Sequence, residues 1–168
     1  DSWGGKSRVQ QRGRPSGTEV ALLELFNGPL GQALSLAAMR IHTGRRHQIR
    51  VQAAHVGHGT VCDGKYTTAA TLLSDRGWCP RNFLHRCALR FHDGTNCSRR
   101  VLAPLPAELA RALACLRRQC KVCASLGHSA DDLVQCTREA AELCGGDWGE
   151  AGLAPASEMR MVVACEGK

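Results

Sequence analysis

Between Thr18 and Phe26 the apolar residues Val20, Leu22, Leu23, Leu25 and Phe26 are interleaved with Glu19 and Glu24, a pattern that predicts a strand. Asn27-Gly28-Pro29 is a strong turn signal. From Ala33 to Ile41, Leu34, Leu36 and Ala38 alternate before Met39 and Ile41, which predicts a second strand paired with the first as an antiparallel hairpin. The chain then enters Thr43-Gly44 and a stretch whose apolar spacing (Ile49, Ala53, Val56) is helical, over residues 46–56, with Thr43 as cap and Gly57 as stop. In that reading Arg46 and Arg50, four apart, share one helical face, and Gly44 supplies a tight or left-handed turn. Residues 67–82 read as a loop with a helical turn. Strand character returns at Phe83–Phe91 and Arg100–Leu105.

The clearest helical period is over residues 106–126. Leu109, Leu113, Leu116, Cys120 and Cys123 step by four and three along one stripe, and Pro106 suits the first turn. A capping-box signature at Ser129–Asp132 predicts another helix to about Cys144, and Met159–Cys165 has strand character. Residues 1–17 are polar and read as a loop. Together these elements predict an α+β fold, a mixed, mainly antiparallel sheet with flanking helices. They divide the chain into a body at residues 1–118 and a helical, cysteine-containing extension at residues 119–168.

Charge sharpens that division. Residues 1–118 hold eighteen Lys/Arg against seven Asp/Glu, whereas the last fifty hold four against eight. A basic body of this kind is the electrostatic footprint of a polyanion binder, most often nucleic acid. No stretch is apolar enough to cross a bilayer, so no membrane partner is expected. The ten cysteines are irregularly spaced in a chain too long for a small disulfide scaffold, and read as reduced thiols of an intracellular protein. Cys120 and Cys123 invite a zinc reading, but both fit the apolar stripe, and His128, Cys136 and Cys144 complete no strong ligand pattern, so core packing is favoured.

The densest chemistry lies in Thr43-Gly44-Arg45-Arg46-His47-Gln48-Ile49-Arg50. Three arginines, a histidine and a glutamine within eight residues serve no core, and arginines at a helix start make an anion site. This segment resembles the T-G-R-x-H-Q-I-R motif of the RluA-type RNA pseudouridine synthases and matches all of its fixed positions. Asp63-Gly64-Lys65-Tyr66 and Leu84-His85 follow in the order of that family's G-D-x-x-Y and L-H-A segments, and Gly17–Val20 resembles its strand leading into the hairpin. The resemblance runs over roughly residues 10–116. Departures are Cys62 in place of a usual Gly, Gly59-Thr60 for Pro-Ile, Gln52 for His, Arg86 for Ala, and Asp93 for Pro.

The resemblance implies isomerisation of uridine to pseudouridine in RNA (ribosomal, transfer or other), with no metal, nucleotide or redox cofactor. It implies catalytic roles for Arg50, which would pair with an aspartate nucleophile, and for Leu84, which would pack beside the target base. Arg45, Arg46, His47 and Gln48 become candidates for substrate binding, with Arg45, His47 and Gln48 equally suited to holding the turn. His85 is as well read as a structural histidine at a strand end. The family's nucleophile sits in an H-R-L-D motif upstream, with a tyrosine on an intervening strand, and neither motif occurs in these 168 residues. Asp63 and Tyr66 belong to another segment and are not replacements. The chain is therefore expected to be the carboxyl-terminal half of a synthase, inactive by itself. The alternative is a non-catalytic RNA-binding module derived from that fold.

Overall fold

The computed structural model describes residues 5–95 and 97–118, together with the backbone of a strand at residues 160–167. The predicted hairpin is present as β1 (Thr18–Asn27) and β2 (Ala33–Ile41), paired antiparallel from Thr18 opposite Ile41 to Asn27 opposite Ala33. The register slips between Leu22 and Glu24. Leu23 is the extra residue of a bulge, which is why Leu22 and Leu23 break the alternation of the strand.

Both faces of β2 are covered, since Leu34 through Met39 are all buried. Alternate residues feed two cores, as the pleat requires. Leu34 and Leu36 join Phe26, Val61, Phe83, Leu109 and Leu113, whereas Ala37 and Met39 meet Ile49 and Ala53 of the first helix, α1 (Gln48–His55). A second helix, α2 (Ala69–Arg76), is capped by the Thr68 hydroxyl, which accepts from Thr71 N–H, and it realises the helical turn expected in residues 67–82. A second antiparallel pair follows: β3 (Leu84–His92) with β4 (Ser98–Leu102).

The third helix, α3 (Ala107–Ala114), begins after Pro106 and buries the predicted Leu109 and Leu113. It is much shorter than the sequence pattern suggests. Leu116 stays in the core, but the chain leaves the helix, and β5 (Arg117–Arg118) pairs antiparallel with Phe26 and Asn27 at the outer edge of β1. A vacant strand edge offers ladder hydrogen bonds that local helical propensity does not outweigh here. Cys120, Cys123 and the helix expected at 129–144 lie outside the described residues.

The predicted final strand is present as β6 (Arg160–Gly167). It runs parallel to both neighbours, between β2 and β3, in a sheet ordered β4-β3-β6-β2-β1-β5. The architecture is the expected α+β, a mixed sheet with mainly antiparallel pairing and flanking helices. Among the described residues, no helix is long and apolar enough to cross a membrane.

Candidate functional site

The helix at the site starts later than the sequence predicts. His47 takes the left-handed conformation (φ 54°, ψ 23°), which cannot continue a right-handed helix, so α1 begins at Gln48. Gly44, expected to supply a tight or left-handed turn, is not left-handed. Thr43 does not cap the helix either; its hydroxyl donates to Gln48 Oε1 at 2.6 Å. Arg45 and Arg46 thus precede the helix, and the expected shared face of Arg46 and Arg50 does not exist. Arg46 Nη2 donates to the Gly5 carbonyl, whereas Arg50 turns to a carboxylate. The stop is as predicted: Gly57 follows the helix at φ 87°.

Gln48 is the organiser of this turn. Its buried amide oxygen accepts from Thr43 Oγ1 and from Arg45 N–H, and its Nε2 donates to the Gly17 carbonyl and to Thr18 Oγ1. Both lone pairs and both N–H donors are spent on protein partners. Of its two roles expected from sequence, holding the turn is the one that these bonds perform. Gln48→Ala should destabilise the chain by about 2–3 kcal/mol through the orphaned buried partners. Urea unfolding checks this, and a loss under about 0.5 kcal/mol, the scale of an ordinary surface change, would contradict it.

Arg50 forms a fork with Asp63. Nε donates to Oδ2 at 2.7 Å and Nη2 to Oδ1 at 2.5 Å. Asp63 has no exposed side-chain surface, and Arg50 keeps 21% of its own. Thr60 Oγ1 and the backbone N–H groups of Lys65 and Tyr66 also donate to the carboxylate. Burial pushes the Asp63 carboxyl up, but the Arg50 fork, the Lys65 N–H and the Thr60 hydroxyl outweigh it and hold it below its ordinary value. The Arg50 guanidinium is raised above its own by the Asp63 hydrogen bond, against burial. It also lies over the Tyr66 ring, 5.2 Å from the centroid. Sequence spacing offers no cue to the pairing of two side chains thirteen positions apart across a turn.

His47 meets the Tyr66 ring edge-on, with Nδ1 2.9 Å from the Tyr66 hydroxyl. That hydroxyl accepts from Ser7 N–H. A hydroxyl has one hydrogen and two lone pairs, so this contact forms with either Nδ1 or the hydroxyl as donor. Burial first, then the cations Arg50, Lys65 and Arg46, lower the His47 pKa from 6.5. A depressed folded-state value means that stability is present above pH 6.5 and is lost as pH falls towards the folded value. The wild-type chain should therefore lose stability between pH 7 and pH 5 relative to His47→Asn, a substitution that tolerates the left-handed backbone. Parallel stability profiles for the two proteins would contradict this.

Leu84 opens β3 and packs, half-buried, against the cluster of Ala37, Met39, Ile49 and Ala53. It therefore leans on the same helix that carries Arg50. His85 Nε2 lies 3.1 Å from the Ala103 carbonyl, an acceptor only, so this nitrogen carries the proton and ties β3 to the segment after β4. Cys62, the departure from a usual glycine, has φ 56° and buries its side chain; the carboxylate of fully buried Asp75 accepts from its N–H at 2.6 Å. Asp75, from the stretch expected to be mostly loop, is thus a support of the turn that carries Asp63. Among the described residues, no group of three or more His, Cys, Asp or Glu side chains is placed to hold a metal ion.

Several known proteins are similar to this chain. Ribosomal large subunit pseudouridine synthase C of Yersinia pestis is 36% identical over 117 residues, which is 68% of this chain and 35% of that protein. The protein of the same name in Escherichia coli (strain K12) is 36% identical over 120 residues, 66% of this chain and 34% of its own length. The chain thus spans about a third of the length of these relatives. A 59-residue stretch is 46% identical to a MATH and LRR domain-containing protein of Plasmodium falciparum (isolate 3D7), covering 35% of this chain and 1% of that protein. No family model matches the chain, and no solved structure does.

Proposed function

Because the chain belongs to the RluA-type RNA pseudouridine synthase family, we propose that it is the arginine-bearing part of an enzyme that isomerises uridine to pseudouridine in RNA. The observation that carries this reading is the Arg50 fork. Asp63 engages Nε and Nη2, Nη1 takes no part in that pair, and a fifth of the side chain remains exposed. A guanidinium fixed on one edge and open on another can receive a second anion without reorganising. In the complete enzyme that anion is the nucleophilic aspartate, kept ionised by the adjacent charge.

The remaining residues take positioning and substrate roles. Leu84, held against α1, packs beside the target base. Arg45 and Arg46, ahead of the helix, contact RNA phosphates, and such contacts offset the unstacking of a flipped nucleotide, a cost of about a few kcal/mol. His47 offers its Nε2 beside Arg50. Gln48 acts by holding the turn. The names of the relatives point to the large ribosomal subunit as a source of that RNA.

A second reading is favoured by the lack of any H-R-L-D segment in the 168 residues: a non-catalytic RNA-binding module that keeps the basic site. Sequencing the transcript upstream of the Asp1 codon separates the two. An in-frame H-R-L-D segment is the expected result. A start codon immediately before Asp1 would leave the module reading in its place.

A further inference from the structure

Residues 5–18 form a strap that is pinned at both ends. At one end Ser7 N–H donates to the Tyr66 hydroxyl, Ser7 Oγ donates to the Arg46 carbonyl, and the Gly5 carbonyl accepts from Arg46 Nη2. At the other end Gln52 Nε2 donates to Ser16, Gln48 Nε2 donates to Gly17 and Thr18, and Thr18 Oγ1 donates to Gln52 Oε1. Between these anchors the chain turns at Gln10–Gly13, where Gly13 N–H donates to the Gln10 carbonyl, and it arches away from α1. A cavity of about 520 Å³ lies under the arch.

Arg8 and Arg14, on either side of the strap's turn, line this cavity together with Arg45 and Arg46 from the turn before α1. Among the described residues, no aspartate or glutamate lines it. Four cations from two segments about thirty residues apart are thus gathered around one space, an arrangement that attracts an anion. The volume is within the roughly 300–1,000 Å³ of ordinary ligand pockets. Gln48 also lines the cavity, so it is joined to the turn that presents Arg50.

We propose that this cavity is a phosphate-binding site for the backbone of single-stranded RNA, with Arg8 and Arg14 of the strap as contacts additional to Arg45 and Arg46. The strap is a second wall of the RNA site, one that the T-G-R-x-H-Q-I-R segment alone does not provide. This rests on the RNA reading given under Proposed function.

The test is binding of a labelled ten-nucleotide single-stranded RNA to the full 168-residue chain across a salt series. Arg8→Ala/Arg14→Ala is compared with Arg86→Ala/Arg90→Ala, which removes the same charge from exposed positions on β3. The strap variant should bind about ten-fold more weakly at low salt and lower the log–log salt slope by about 1.4, as expected for two lost phosphate contacts on a single strand. The β3 variant should keep the wild-type slope. All four arginines are exposed, and an unchanged thermal midpoint verifies that each variant is folded. Equal losses in the two variants would overturn the cavity site while leaving RNA binding intact. A wild-type chain that does not bind the RNA would overturn the RNA reading, and the cavity site with it.

Discussion

Arg50→Met is expected to destabilise the chain by about 3 kcal/mol, near the lower end of the range for breaking a buried ion pair, because it leaves a buried carboxylate without its counter-charge. The lower end applies because Arg50 retains 21% of its side-chain exposure while Asp63 retains none. Three neutral donors, from Thr60, Lys65 and Tyr66, remain on Asp63 and soften the loss. Asp63→Asn should cost less, since a partly exposed guanidinium can recruit water. The double variant should cost less than the sum of the two by at least about 1 kcal/mol, the signature of directly coupled neighbours. Arg50→Lys keeps the charge but not the two-pronged geometry, and should fall between wild type and Arg50→Met. Urea unfolding of wild type, Arg50→Met, Asp63→Asn and the double variant completes the cycle, and the same measurement places Arg50→Lys. Additive losses would mean that the fork contributes nothing of its own.

The second expectation concerns chemistry. The 168-residue chain by itself should form no pseudouridine above background. Each described aspartate is already committed to the fold. Asp63 is fully buried and receives two donors from Arg50 and three more from its neighbours. Asp75 is fully buried and accepts from Cys62 N–H. Asp93 is tied into its own turn by Thr95, Cys97 and Arg99, contacts that hold its carboxyl down at about 2. A nucleophile must present an oxygen lone pair to the sugar or base of a bound nucleotide, and these carboxylates direct theirs to protein donors. This agrees with the function proposed for Arg50, in which the catalytic carboxylate it receives comes from outside the described residues.

The sequence made the hairpin legible because β1 and β2 alternate on a sheet with one consistent pattern, and β2 begins at Ala33 and ends at Ile41 as predicted. It did not show the bulge at Leu23, since two adjacent leucines suit either face until the partner strand is known. The start of α1 was misplaced because any capping argument assigns the turn to Thr43 and Gly44, while the left-handed residue is His47, held there through its bond with Tyr66 nineteen positions away. The end of α3 was misplaced because the stripe through Leu116 is equally satisfied by a helix that ends and a chain that folds back to pair with Phe26.

β6 was visible as a strand, but its parallel place between β2 and β3 was not, because periodicity carries no information about partners. In the site, the residues of the turn were legible as a set. Their division of labour was not, because it depends on contacts from distant segments. Gln48 holds the strap, Arg46 reaches Gly5, and Arg50 grips Asp63. Cys62 marks a related limit. A departure from glycine that reads as a minor change of loop shape falls on a backbone with φ 56°, where an L-residue is strained and where Asp75 supplies the compensating hydrogen bond.

The proposed arrangement is an RNA site built around Arg50 whose nucleophile comes from outside the described residues. It is tested most directly by incubating the pure 168-residue chain with a uridine-containing RNA and measuring both retention of the RNA and its nucleoside composition. The expected result is RNA retained by the protein in a salt-dependent way, with uridine recovered unchanged. Pseudouridine formed by the pure chain would contradict it.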